Sequence, residues 1–171
     1  MTSSALNTRR LALADMDAAA RVHRAAFDHA LPWLAGLHTP DEDRWFYRER
    51  MFSVCTLWGA FDGEAMSGVI AFHDDLIEQL YVLPAAQGCG IGSALLDIAK
   101  QGADRLQLWT FQRNARTRSF YEARGFVAVE QTDGSRNEEK EPDVRYLWTQ
   151  VPARECRDAA VRPAMTDRRG D

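Results

Sequence analysis

The stretch Gln87-Gly88-Cys89-Gly90-Ile91-Gly92 places three glycines within six residues, and that spacing suits one kind of chemistry. Without side chains the backbone can touch a ligand, and φ values that other residues resist become accessible. The apolar run Leu76 to Leu83 leads into it, and Leu95, Leu96, Ile98, Ala99 and Ala103 follow at helical spacing. A strand, a glycine loop and a helix start in that order aim free N–H groups and the positive end of a helix dipole at one point. The expected guest is a phosphate or pyrophosphate.

Two common phosphate motifs do not fit. A dinucleotide fold wants GxGxxG, whereas these glycines fall as GxGxG with Ser93 and Ala94 behind them. The Walker form ends in Gly-Lys-Ser/Thr, and the loop has no lysine. Gln87 to Gly92 does read as QxxGxG. Further on, Asn114, Ala115, Phe120, Tyr121, Gly125 and Phe126 follow the apolar run Arg105 to Phe111 in a fixed arrangement. On these residues the chain resembles the GCN5-related N-acetyltransferase (GNAT) family, over roughly residues 9 to 150.

The resemblance carries specific implications. It implies acetyl-CoA as cosubstrate, with no metal. Gln87, Gly88, Cys89, Gly90, Ile91, Gly92 and Ser93 would wrap the coenzyme diphosphate. The backbone of Leu80, Tyr81 and Val82 would pair with the pantetheine arm, whose amides Asn114 would bond. Two central strands would splay apart just past the loop, with the thioester in the gap and Tyr121 beside the sulfur as general acid. One wall of the acceptor groove falls in the region of Trp33, His38, Trp45 and Phe46; packing is the plain reading of all four, and Trp33 and His38 are the pocket candidates. Dimers are frequent in the family.

The chemistry itself makes three demands: a neutral amine, an oxyanion partner and a proton for the departing thiolate. An alkyl amine with a pKa near ~10.4 is neutral in only about one molecule in a thousand at pH 7, so a base is needed. Glu78 is the candidate. It lies in Leu76-Ile77-Glu78-Gln79-Leu80, one pleat from Leu80 and Val82, where desolvation would tune a carboxylate toward general-base duty. The competing reading leaves it at a strand end, solvated or paired to an arginine. Tyr121, with a phenol pKa of ~10, can hold a proton at pH 7 and release it to a thiolate. Its plainer reading is a core aromatic; that of Asn114 is a helix cap, compatible with binding. An amide near Leu80 is the expected oxyanion partner, and Cys89 is incidental because nothing nearby in sequence activates it. His73 reads equally as a strand-end residue or a catalytic one. Glu138, Glu139, Glu141 and Asp143 form an acidic loop, which is solvated surface or a lure for an amine.

The elements that must position these residues follow from the pattern. Arg9 to Ala14 predicts a first strand and Asp15 the cap of a helix carrying Ala19, Val22, Ala26, His23 and Phe27. Pro32 breaks that helix. Thr39-Pro40-Asp41-Glu42 restarts one with a capping box. Val54 to Phe61 and Ala65 to His73 predict a hairpin turning at Asp62-Gly63. Phe126 to Gln131 and Val144 to Val151 predict the last two strands. The order β, α, α, β, β, β, α, β, α, β, β implies a single α/β (α+β) domain over 9–151, with a mixed sheet of about seven strands between helices and flexible termini at 1–8 and 152–171.

With 171 residues and 46% apolar content the chain suffices for one full core. A net charge of −4 gives no electrostatic footprint for nucleic acid. Three scattered cysteines argue against a disulfide framework or zinc site and for a reducing compartment. No apolar run approaches the ~18 residues of a membrane span, and the expectation is a cytoplasmic protein. The expected function is acetyl transfer from acetyl-CoA to a primary amine of a small molecule or peptide, by direct attack in a ternary complex. The alternative is a noncatalytic acyl-CoA-binding or sensor protein of the same fold.

Overall fold

Seven segments pair as strands: β1 (Asn7–Arg10), β2 (Thr56–Asp62), β3 (Ala65–His73), β4 (Leu76–Val82), β5 (Arg105–Phe111), β6 (Val127–Gln131) and β7 (Asp143–Thr149). The computed structural model describes residues 6–150. The predicted flexible segments at 1–5 and 152–171, and Val151 of the closing strand, lie outside the described residues. The strands form one sheet in the order β1-β2-β3-β4-β5-β7-β6. All neighbours are antiparallel except β4 and β5, so the sheet is mixed as predicted. The helices are α1 (Met16–Ala30), α2 (Pro40–Trp45), the single turn α3 (Phe52–Val54), α4 (Ile91–Lys100) and α5 (Ala115–Glu122).

Local chemistry explains where the boundaries differ from expectation. The first strand spans Asn7–Arg10 rather than Arg9 to Ala14, so Asn7 and Thr8 belong to the sheet and not to a frayed end. Asp15 explains its early stop. The carboxylate accepts the Ala12 N–H at 2.8 Å and both arms of the Arg9 guanidinium at 2.8 Å, which folds Leu13–Asp15 into a 3-10 turn. Asp15 therefore makes no side-chain cap on α1, contrary to its predicted role. The Thr39 capping box forms as expected: Glu42 N–H donates to Thr39 Oγ1 at 3.3 Å, and Thr39 N–H to Glu42 Oε2 at 2.7 Å. Beyond α2 the chain stays helical through a π turn, Phe46–Met51, and α3, so β2 starts at Thr56 instead of Val54.

The sheet separates two cores. On one face Ile70, Leu95, Leu96, Leu106, Val144 and Tyr146 join α4 and α5 to the strands. On the other Met16, Ala19, Val22, Tyr47, Met51 and Val69 seat α1 and the π turn. Each fully buried aliphatic side chain contributes about 1.5–3 kcal/mol. Arg24 of α1 grips Asp43 of α2 through two bonds of 2.6 and 2.7 Å, a charged pair whose carboxylate is almost wholly buried. Among the described residues no helix is long and apolar enough to cross a membrane.

His23 sits inside this second core, its ring stacked on Tyr81 at 4.3 Å and edge-on to Tyr47 and Phe27. Burial pushes its pKa down to about 3. The unfolded chain, with an ordinary imidazole near 6.5, binds the proton first as pH falls. Stability is thus indifferent to His23 above about pH 6.5 and drains away from there toward pH 3. At about pH 4.5 the loss is roughly 2–3 kcal/mol. His23→Phe keeps a ring in place and should raise the urea midpoint at about pH 4.5 relative to the native chain, while changing it little at pH 8; equal shifts at both pH values would contradict this.

Candidate functional site

The site begins where the sheet comes apart. β4 and β5 share the single register pair Leu76 and Gln107, beside a bond from Gln107 N–H to Asp75 O of 2.7 Å. Past that rung the strands diverge. On its other edge β4 stays paired: Leu83 N–H donates to Ser67 O at 2.8 Å. In an antiparallel ladder alternate residues face the partner, so Tyr81 also bonds β3 and the N–H and C=O groups of Leu80 and Val82 point into the gap. Gln87 Nε2 donates to Val82 O there at 3.1 Å.

The glycine loop follows a 3-10 turn, Pro84–Ala86, and hands over to α4 at Gly90. Gly88 and Gly90 adopt φ of 81° and 82°, a left-handed conformation that side chains resist. No side chain caps this helix, and its first backbone bond is Ala94 N–H to Gly90 O at 3.0 Å. The N–H groups of Ile91, Gly92 and Ser93 therefore lack helical partners, which is the anion-ready arrangement the loop predicts. Gly92 is needed for a different reason: an added Cβ would lie 3.2 Å from the Phe120 ring, so α5 packs directly against the first turn of α4. Ile91 turns inward and is buried, while Cys89 is exposed.

That close packing delivers a residue the sequence pattern does not flag. Arg124 stacks on Phe120 at 3.7 Å and donates to Ser93 Oγ from Nε at 3.1 Å and from Nη2 at 2.6 Å. Ser93 and Arg124 are 31 positions apart, and only the fold joins them.

Two adjoining cavities flank the gap, of about 630 and about 350 Å³. Leu80, Val82, Gln87, Asn114 and Tyr121 line both. Gly88 and Gly92 reach only the smaller one, on the loop side; Glu78 and Tyr81 reach only the larger. Tyr121 is 5% exposed, and burial pushes its phenol pKa above the ordinary value. It remains a proton donor throughout the neutral range. Asn114 caps α5 by accepting the Thr117 N–H at 3.2 Å and still faces both cavities.

Glu78 is placed differently from its predicted position on the Leu80 and Val82 face. The β3–β4 register slips between Ala71 and Phe72, whose partners are Gln79 and Ile77, leaving Glu78 as the bulged residue. Ile77 and Leu80 consequently pack in the same core cluster although three residues apart, and Glu78 lies close enough to Cys55 to reinforce the effect of burial on that thiol, whose pKa is pushed up to about 11. Glu78 Oε1 is 3.1 Å from His73 Nε2, with the carboxylate side chain 30% exposed. Its partner is a histidine, where an arginine or plain solvent was the alternative.

Glu139 and Asp143 of the acidic stretch line the larger cavity along with Arg136 and Asn137. Trp33 and His38 line neither cavity and sit at the rim. The Trp33 indole donates to Glu141 Oε1 at 3.1 Å under the Arg113 guanidinium, which lies 4.0 Å from its ring, and His38 Nε2 is 3.7 Å from Glu138. Trp45 is 63% exposed, and Phe46 packs against the second core. Among the described residues no group of three metal-ligating side chains converges.

A mixed sheet splayed beside a glycine loop and a bare helix start defines the GNAT fold class. The acetyltransferase (GNAT) domain pattern matches residues 53–128, from α3 to β6. A mycothiol acetyltransferase of Beutenbergia cavernae is 36% identical over 93 residues, covering 47% of this chain and 31% of the relative. The chain thus spans about a third of the length of that relative. Among solved structures, apo YjaB of Escherichia coli superposes with a TM-score of 0.72 at 19% identity, covering 85% of this chain and 99% of that one. The PaiA N-acetyltransferase of Thermoplasma acidophilum, in complex with coenzyme A, gives 0.63 at 24% identity, again over 85% and 99%.

The loop geometry is testable without a ligand. Gly90→Val puts a β-branched residue at φ 82° and should cost about 1–2 kcal/mol in urea denaturation. A variant as stable as the native chain would mean that the left-handed turn is not needed.

Proposed function

We propose that the protein is an acetyl-CoA-dependent N-acetyltransferase that moves the acetyl group to a primary amine by direct attack within a ternary complex. The observation that carries this reading is the pairing of an uncapped α4 N-terminus with a gap into which Leu80 and Val82 direct their backbone groups. The first suits a diphosphate and the second an extended amide-bearing arm. The carrier would lie with its diphosphate against Gly88, Gly90, Gly92 and the first turn of α4. Its pantetheine arm would take the place of a missing strand beside β4, with Asn114 across from it, and the thioester would sit near Leu80 and Tyr121. The complex of the PaiA relative with coenzyme A supports a carrier of this chemistry.

The chain's own groups then divide the work. The Leu80 N–H stabilises the oxyanion as the amine attacks the thioester carbon. Tyr121, kept protonated by burial, supplies the proton to the departing thiolate. Glu78 takes the proton from the amine, directly or through one water, from the wall of the larger cavity. The acceptor enters on the side of Glu139 and Asp143, whose charge favours a cation. No metal is required for any of these steps.

Titration calorimetry with acetyl-CoA tests the binding half, and no heat at high micromolar concentration would count against the proposal. For the chemistry, Tyr121→Phe should lower turnover about a hundredfold or more while leaving the acetyl-CoA Kd within about twofold. Equal loss of both would deny Tyr121 its role as acid. Binding without thiol release across a broad amine panel would favour the sensor alternative.

A further inference from the structure

Acetyl transfer to a protonated amine has a proton surplus. The ammonium loses two protons on becoming an amide; the thiolate keeps one, and the other must leave the enzyme. The carboxylate proposed to collect it lines a cavity between strands, so the proton needs an exit. The structure places one beside it.

His73, the last residue of β3, stands between two carboxylates. Its Nε2 is 3.1 Å from Glu78 Oε1, and its Nδ1 is 3.3 Å from Asp74 Oδ2. Exposure rises along the chain of contacts: the side chains of Glu78 and His73 are 30% and 33% exposed, and that of Asp74 is 91% exposed. One end faces the larger cavity and the other faces bulk water. The β4 bulge contributes by taking Glu78 off the Leu80 face and leaving it diagonal to His73 across the ladder.

We propose that His73 is the proton exit of Glu78, carrying the acceptor's proton from the cavity to solvent beside Asp74. This rests on Glu78 being the base. The step balances without any other reagent. The ammonium N–H proton passes to the Glu78 carboxylate; the resulting carboxyl O–H proton passes to the Nε2 lone pair of neutral His73. The imidazolium then releases its Nδ1 proton to Asp74 or water. Glu78 returns to the carboxylate and His73 is left as its Nε2–H tautomer, which reverts to the Nδ1–H form by proton exchange with water before the next turnover; no bond other than N–H and O–H is exchanged.

A half-exposed ion pair at a strand end adds little to stability, whereas an imidazole between two acids is suited to shuttling protons near neutrality. Hydrogen bonds to Glu78 first and Asp74 second raise the His73 pKa above its usual 6.5. The other charged groups nearby are otherwise engaged. Asp75 is bound to Arg105 and Gln107, Cys55 is held as a thiol by burial, and Arg50 acts on Cys55.

The test follows thiol release from acetyl-CoA with spermidine, benzylamine and triglycine as probe amines, and with water alone. His73→Gln keeps an N–H for Glu78 but cannot relay a proton. It should cut turnover about tenfold, leave the acetyl-CoA Kd and melting temperature near native values, and recover when imidazole is added. The native pH profile should rise through an ionisation above 6.5 that disappears in His73→Gln and moves down in Asp74→Asn. Unchanged turnover and profile in His73→Gln, or a loss that imidazole does not restore, would overturn the relay. If Glu78→Gln alone is impaired, the base assignment stands and the exit falls. Full activity of Glu78→Gln, or no thiol release by the native enzyme under any of these conditions, would defeat the underlying assignment and the relay together.

Discussion

Two adjacent strands that meet at one rung impose the constraint on which the rest of the molecule is built. A sheet normally spends its backbone groups on its own strands, and a half-buried N–H or C=O left without a partner is costly. β4 leaves the inner groups of Leu80 and Val82 open toward β5. Gln87 answers one of them through Val82 O. The structure tolerates the remainder because both faces of the divided sheet are covered, by α4 and α5 on one side and by α1 on the other.

The covering layers also govern where ionisable groups keep or lose their charge. The Arg24–Asp43 fork locks α2 to α1, and the His23–Tyr81 stack seats α1 on the back of the strand that borders the gap. Burial on that side keeps His23 neutral and Cys55 a thiol. Within the gap, Tyr121 is buried in aromatic company with Phe120 and Phe126 at 5.2 and 5.3 Å, and Glu78 and His73 stand where solvent can reach them. Opposite environments around one gap thus separate a retained proton from an exchangeable one.

Much of this was legible in the sequence because it depends on short-range rules. The limits of β3, β4 and β5, the Thr39 capping box and the glycine-led start of α4 follow from period, caps and φ preference, and these are local. The errors came from contacts between distant residues. Asp15 looked like a helix cap until Arg9 and the Ala12 amide claimed it. Glu78 counted onto the wrong face because strict alternation cannot foresee a bulge, which exists only when a partner strand fixes the register. Arg124 carried no sign of its contact with Ser93, and the pocket candidates Trp33 and His38 meet Glu141 and Glu138, carboxylates that sequence spacing does not bring near them.

The Trp33 contact at that edge has a mechanical side. Trp33 reaches Glu141 across 108 positions of sequence while Arg113, just past the far end of β5, closes over both. The half-sheets β1–β4 and β5–β7 are joined by the Leu76–Gln107 rung and the Asp75 bonds where β4 begins, and this buckle ties the turn after α1 to the β5–β7 side. Widening the cleft at that end would break the Trp33–Glu141 bond.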